Sequence, residues 1–493
     1  MAPYWRSGGR GASLAAKSQE TAAALKAATQ GSLAMTEPVA DRRRFLAAAS
    51  LLPVAVAATG TAATAQTRKS AAAAGTVRLN VRDFGATGDG RTKDTLALQQ
   101  ALDRCAVLGG GEVFVPAGVY LTGALVMGAR TTLRLDEQAT LQGSPDLADY
   151  PLTQVRWEGK WIKGHIGLIS AKDVDDLRLC GKGKILASLD IKGRYDRVTG
   201  IRHAALIEFI SCRNVVVEDV FTSQNDMWSI HPTYCENITF RNMTVNGRAD
   251  GIDVDSCRNV VIDNCDFDTF DDCISLKSGR GMEGYSLLRT TENVTITNCR
   301  FKDLNWACIG IGSETSGGIR NVRVDNCKCL SAKTFAIYIK SRPGRGAFIE
   351  NIHMSNLDVS NAGGGFLRFN FLDSGKQDEV PVPGDEGIPT VRNLSFDNIR
   401  VAGVPVLVEG VNIHPNKPLD GFTLANVTGT CGKGISLRNI RRASLRNIRV
   451  TGYEGPLVSI HNVTGSGLDG AAQLPATGSA AQIPPPETPY VLK

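Results

Sequence analysis

The sequence predicts an all-β fold, a right-handed parallel β-helix (a single-stranded solenoid) with a short N-terminal capping helix. Three observations predict it. A motif of the form Asn, aliphatic, any, apolar, any, Asn or Asp recurs at Asn214, Asn237, Asn259, Asn293, Asn321, Asn351 and Asn393. Apolar and polar residues alternate strictly within each copy, which is a strand signature. The tightest copies lie 23 and 22 residues apart, the length of one coil built from several short strands. Composition agrees, because 52 glycines and only 6% aromatic residues suit many tight turns.

The elements follow in chain order. Arg42-Arg43-Arg44-Phe45-Leu46 precedes an uncharged, Ala-rich stretch that runs to Gln66, and Ala63-Thr64-Ala65 offers a small-residue cleavage site. Residues 1–66 are therefore expected to be an upstream segment plus a twin-arginine-type signal peptide. That address implies a periplasmic or extracellular protein. Asp41 stands where Ser or Thr usually precedes the arginine pair, and Met35 is an alternative start. Pro53, Gly60 and the many Ala and Thr residues make the stretch weakly apolar. No stable membrane insertion is expected after signal cleavage.

The β-helix domain is expected over residues 67–464 and a Pro/Gly/Ala-rich tail over 465–493. Leu98, Ala101, Leu102 and Cys105 fall at i, i+3, i+4 and i+7, one apolar helix face. That helix would cover the open N-terminal end of the core. Recurring asparagines would stack at the turns, each amide bonding the next. Cys212, Cys235 and Cys257 recur with the coil period, and Cys265, Cys299 and Cys327 each follow an asparagine. This regularity predicts stacked small core residues rather than disulfides. The net charge of +6 is small for 493 residues, and no basic run outside the signal region suggests nucleic acid. A monomer is expected.

Aligning the strands GIDVDS (251–256), CISLKS (273–278), CIGIGS (308–313) and AIYIKS (336–341) places two columns outward. One holds Asp253, Ser275, Gly310 and Tyr338, the other Asp255, Lys277, Gly312 and Lys340. Just before the strands, Asp250 stacks beneath Asp272 and Asp271 beneath Trp306. Adjacent coils lie about 4.8 Å apart, so three carboxylates crowd together beside Lys277 and Lys340. Like charges that close raise at least one pKa. One protonated acid beside ionised neighbours is what glycoside cleavage requires. The bland alternative is a solvated turn, since Asp-Asp is common there.

DGIDVDSCRNVVI followed by FDDCISLKSG resembles the paired motifs of glycoside hydrolase family 28, the polygalacturonases. GSETSGGIRNV, IKSRPGRG and WSIHP are similar to stretches of its exo-acting branch. The resemblance implies an inverting single displacement without metal or other cofactor, on an acidic plant polysaccharide or oligosaccharide. It makes Asp271 the general acid, with Asp250 and Asp272 activating the water. Two motifs depart from the family. Its Gly-His-Gly is replaced by Asn305-Trp306-Ala307, and its Arg-Ile-Lys by Tyr338-Ile339-Lys340. The resemblance assigns substrate binding to Lys340; Tyr338 and Trp306 are expected to contact sugar instead of the missing cation and histidine. Asn-Trp also resembles rhamnogalacturonan hydrolases of the same family.

Lys277, His231 and Arg345 complete the expected binding set, with His231 facing outward one coil below Asp255. The Pro-containing insertion at 370–390 is expected to wall the cleft. Two other classes stay open on the residues alone: a calcium-dependent pectate lyase and a non-catalytic carbohydrate-binding β-helix.

Overall fold

The computed structural model describes residues 77–303 and 305–476, so the export signal and the end of the tail lie outside the described residues. The fold is the expected parallel β-helix: 31 strands form one continuous parallel sheet that winds around a single apolar core. The capping helix spans Thr95–Val107 and buries Ala97, Leu98, Ala101, Leu102 and Cys105 against the first strands. Strands Val458–Ser466 and Ala472–Gln473 continue the pairing past residue 464, where the sequence reading begins the tail. None of the described helices is long and apolar enough to cross a membrane.

One face of the solenoid is a ladder. The seven motif asparagines have φ between 55 and 57°, a left-handed conformation that Asn tolerates because its short amide can bond locally. Each amide donates to the asparagine of the preceding coil, at 2.9–3.1 Å from Asn237 to Asn393. Beside it runs a charge ladder that the sequence reading missed. Asp175, Arg213, Glu236, Arg258, Glu292, Arg320, Glu350, Arg392 and Asp420 sit in direct register, coil on coil. The sign alternates at every step. Slipping the register by one whole coil would set like charges against like, so the pattern opposes that error.

All twelve cysteines are buried and free. Cys212, Cys235 and Cys257 stack as expected, the backbone N–H of each lower residue lying 3.3 Å from the sulfur above it.

The opposite fate meets the strands Ile230–Thr233, Ile252–Asp255, Ile274–Lys277, Ile309–Ile311 and Phe335–Lys340. Their register is the expected one: Ile252, Ile274, Ile309 and Ile337 share a column, as do Asp253, Ser275, Gly310 and Tyr338. The inward residues feed the core. The outward residues are largely buried as well, because a hairpin (Leu152–Trp157 with Lys160–His165), a strap at 187–206 and the 371–389 loop pack over them.

Candidate active site

The triad forms where three turns enter adjacent strands. One oxygen from each of Asp250, Asp271 and Asp272 lies within 4.8 Å of the others. Backbone bonds fix the stacking: Gly251 N–H donates to the Asp272 carbonyl at 3.0 Å, and Cys273 N–H to the Ala307 carbonyl at 3.2 Å. This sets Asp250 under Asp272 and Asp271 under Trp306, as expected. Asp250 and Asp272 are buried, whereas Asp271 is half-exposed.

Three cations meet these carboxylates. Lys277 Nζ lies 3.2 Å from Asp250 Oδ2 and also contacts Asp253. Lys340 Nζ lies 2.8 Å from Asp272 Oδ2. Arg194, from the strap, pairs with Asp271 and reaches to 3.8 Å from Asp250. Ser275 Oγ bridges Asp250 and Asp272 at 3.2 and 3.1 Å, and Ala307 N–H donates to Asp272 Oδ1 at 3.2 Å.

Burial and charge separate the four acids. Burial pushes Asp272 up to about 6, Lys340 opposing, with Asp271 and Asp250 adding to the rise. Asp271 is raised by burial and by the Asp250 charge, against Arg194. Asp250 is held below the usual range: burial works against this, but Lys277, Arg194 and Lys340 outweigh it. Asp253 is pushed far up by burial and by Asp250, with Lys277 opposing. Three cations converge on these acids, an arrangement that can receive an anionic sugar.

The aromatic pair stands beside this cluster. Trp306 is 38% exposed and stacks on Tyr338, with centroids 6.5 Å apart and planes 29° from parallel. Lys340 Nζ sits 5.5 Å from the Trp306 ring and 5.3 Å from the Tyr338 ring. The Tyr338 hydroxyl accepts from Asn370 Nδ2 at 3.3 Å. Asp303 holds the turn beneath, accepting the N–H groups of Asn305 (2.7 Å) and Trp306. Burial pushes its carboxyl up to about 8.

Two expected binding residues do not face the cleft. His231 is 1% exposed. The register sets it one coil beneath Asp253, not Asp255, where Glu208, Thr233 and Trp228 enclose it. Burial lowers its pKa, Glu208 opposing. Arg345 is fully buried and bonds the carbonyls of Ser313 (2.9 Å) and Lys376 (2.5 Å), tying the 371–389 loop to the solenoid. Lys277 is buried too and acts behind Asp250. Trp306 and the Asp271–Arg194 pair retain the most solvent contact.

Arg194, Asp303 and the bridging role of Ser275 were missed by sequence reasoning. Asp303 had a weak signal, an Asp two residues before Asn305 at a turn. Arg194 had none, since it lies far from the triad in the chain and outside every repeat.

The glycosyl hydrolases family 28 model matches residues 105–444. The chain belongs to this family. It is a polygalacturonase-like glycoside hydrolase, as the motif resemblance implied. A probable polygalacturonase of Vitis vinifera is 27% identical over 368 residues, covering 70% of this chain and 73% of that protein. An exo-poly-alpha-D-galacturonosidase of Dickeya chrysanthemi is 24% identical over 455 residues, covering 79% and 74%. Among solved structures, an exopolygalacturonase from Thermotoga maritima superposes with a TM-score of 0.68 at 25% identity, covering 76% of this chain and 92% of that one.

Proposed function

We propose that the protein is an exported hydrolase that removes sugars from chain ends of pectic, galacturonate-containing polymers. The observation that carries this reading is the triad of Asp250, Asp271 and Asp272, met by Lys277, Lys340 and Arg194 beside a side of the solenoid that a hairpin and a loop cover. Outward residues of the lower coils, Glu208 and His231, are sealed from solvent. The hairpin that covers this side is anchored by Arg156, which bonds Asp255 at 3.0 Å and Glu283 at 2.8 Å. Lys160 and Arg280 meet Asp378 at 3.2 and 3.1 Å, joining hairpin, helix Gly281–Leu287 and loop 371–389. A side covered in this way favours terminal cleavage over passage of a long polymer.

In this reading Asp271 protonates the glycosidic oxygen, and Asp250 with Asp272 takes a proton from one water. Lys340 and the Trp306–Tyr338 pair contact sugar. Inversion rests on the family resemblance; carboxyl spacings of about 6.5–9.5 Å are usual for inverting enzymes, and this triad is tighter. NMR of the first-formed anomer decides it: an α-linked substrate yields β-product by inversion, and α-product would overturn the single displacement. Product sizing tests exo action, which predicts mono- or disaccharides from the start; early mid-length fragments would overturn it. A divalent ion at the triad would compete with two ammonium groups and a guanidinium, so activity is expected to survive a strong chelator. Loss on chelation, restored by calcium, would favour a lyase.

The stacked pair of Trp306 and Tyr338, where the family pattern has His and Arg, favours a second reading. One subsite would take a less charged sugar, as in a rhamnogalacturonan or substituted pectin. Wild type is then expected to prefer branched over smooth chains, and Tyr338→Arg with Trp306→His to reverse that preference. For export, replacing Arg42 and Arg43 by Lys is expected to retain the protein in the cytoplasm; continued export would remove the twin-arginine assignment.

A further inference from the structure

We propose that Arg194 grips the carboxylate of the uronate next to the bond being cleaved, supplying the guanidinium that Tyr338 does not. This rests on the pectic reading above.

The residue is positioned for it by a strap that does not need its side chain. Gly193 N–H donates to Asp226 Oδ2 at 2.8 Å. His203 N–H donates to the Arg194 carbonyl at 3.0 Å, and His203 Nδ1 lies 3.0 Å from the Gly193 carbonyl. Tyr195 packs on Trp157 with centroids 5.1 Å apart. Asp196 closes the neighbouring turn on Val198 and Thr199. The backbone is pinned on both sides of Arg194, while its side chain is bonded to Asp271 and reaches toward Asp250.

That side chain lies over the cleft with 33% of its surface exposed. Lys277 and Lys340, the other cations at the triad, are each at most 10% exposed and engaged by Asp250, Asp253 and Asp272. Arg194 contacts the acids through Nη2 alone, leaving the rest of its fork of five N–H donors for a ligand. A planar fork matches a carboxylate in a way an ammonium does not.

The pairing with Asp271 cannot last through a turnover. An acid that donates its proton to the glycosidic oxygen must first be protonated, and a paired guanidinium favours its ionised form. An arriving uronate offers Arg194 a replacement anion. A neutral or esterified sugar does not, and leaves Arg194 on Asp271.

The test compares wild type, Arg194→Gln and Arg194→Lys on oligogalacturonate and on its methyl ester, with inhibition by digalacturonate and its dimethyl ester as a readout that needs no turnover. Thermal unfolding confirms folding, since the strap's own bonds remain. For Arg194→Gln, kcat/KM on the charged substrate and digalacturonate affinity are expected to fall about 10- to 100-fold, the scale of a charge-assisted bond. For the ester, affinity is expected to change less than about 3-fold and kcat/KM not to fall, since Asp271 is released from the guanidinium, and Arg194→Lys is expected to recover part of the loss on the charged substrate. Equal losses on charged and esterified ligands, or no loss on either, overturn the assignment of Arg194 alone. Wild type inactive on every pectic substrate overturns the pectic reading and this assignment with it.

Discussion

The two long faces of this solenoid obey opposite rules. On the ladder face, each coil repeats its neighbour: asparagine on asparagine, and charge on opposite charge, most of them near water. On the cleft face no outward column repeats. Glu208, His231, Asp253, Ser275, Gly310 and Tyr338 follow one another in a single column. Most charges there are buried, and their partners share no repeating pattern from coil to coil. Repetition specifies the coil, and departure from repetition makes a site. The cost differs accordingly, because exposed pairs contribute roughly 0–1 kcal/mol, while breaking a buried pair costs about 3–5 kcal/mol.

The largest effect that follows is on the cleft face. Asp271→Asn is expected to keep its melting temperature and lose about 10²- to 10⁴-fold in kcat, the scale of general acid catalysis. Near-normal turnover would show that the acid lies elsewhere. Arg156→Met comes next and acts on stability. It strands Asp255 in the interior, both side chains being 1% exposed, so unfolding is expected about 3–5 kcal/mol easier. Arg156→Met with Asp255→Leu is expected to recover much of this; a double mutant no better than the single one would mean that the pair was not the cause.

A pH profile sharpens the contrast further. Asp272 is raised by burial to about 6, with Lys340 opposing. As a base it must be ionised, so kcat/KM is expected to fall as pH drops through about 6. Removing the ammonium with Lys340→Met lets burial act unopposed and is expected to move this acid limb to higher pH. An unmoved limb would detach Asp272 from the titration.

The smallest effect belongs to the ladder. Asn259 has φ of 57° and bonds to Asn237 at 2.9 Å, while Asn293 bonds back to it at 2.9 Å. Asn259→Ala is expected to cost about 1–3 kcal/mol, from a left-handed Ala plus lost amide bonds. Asn259→Gly removes the amide without the backbone strain, so chemical denaturation of the two variants separates the terms. Activity is expected to hold in both, and a large loss in either would break the division between the faces.

The division also explains what the sequence alone determined. Local periodicity carried the fold: the Asn motif, the alternating strands and the helix face from Leu98 to Cys105 each encode a contact within one coil or with the next. The triad was legible for the same reason. Asp250, Asp271 and Asp272 belong to adjacent repeats, so aligning the repeats aligned them. The tertiary structure alone decided what covers that column. Arg194, Arg156 and Asp378 come from insertions with no period, and they meet the solenoid across separations that no pattern encodes. The same packing buried His231, which alternation had placed outward, and Arg345, which was expected to bind substrate. Alternation tells a side chain which way to point, but burial depends on whether another segment lies above it, and only the folded chain settles that.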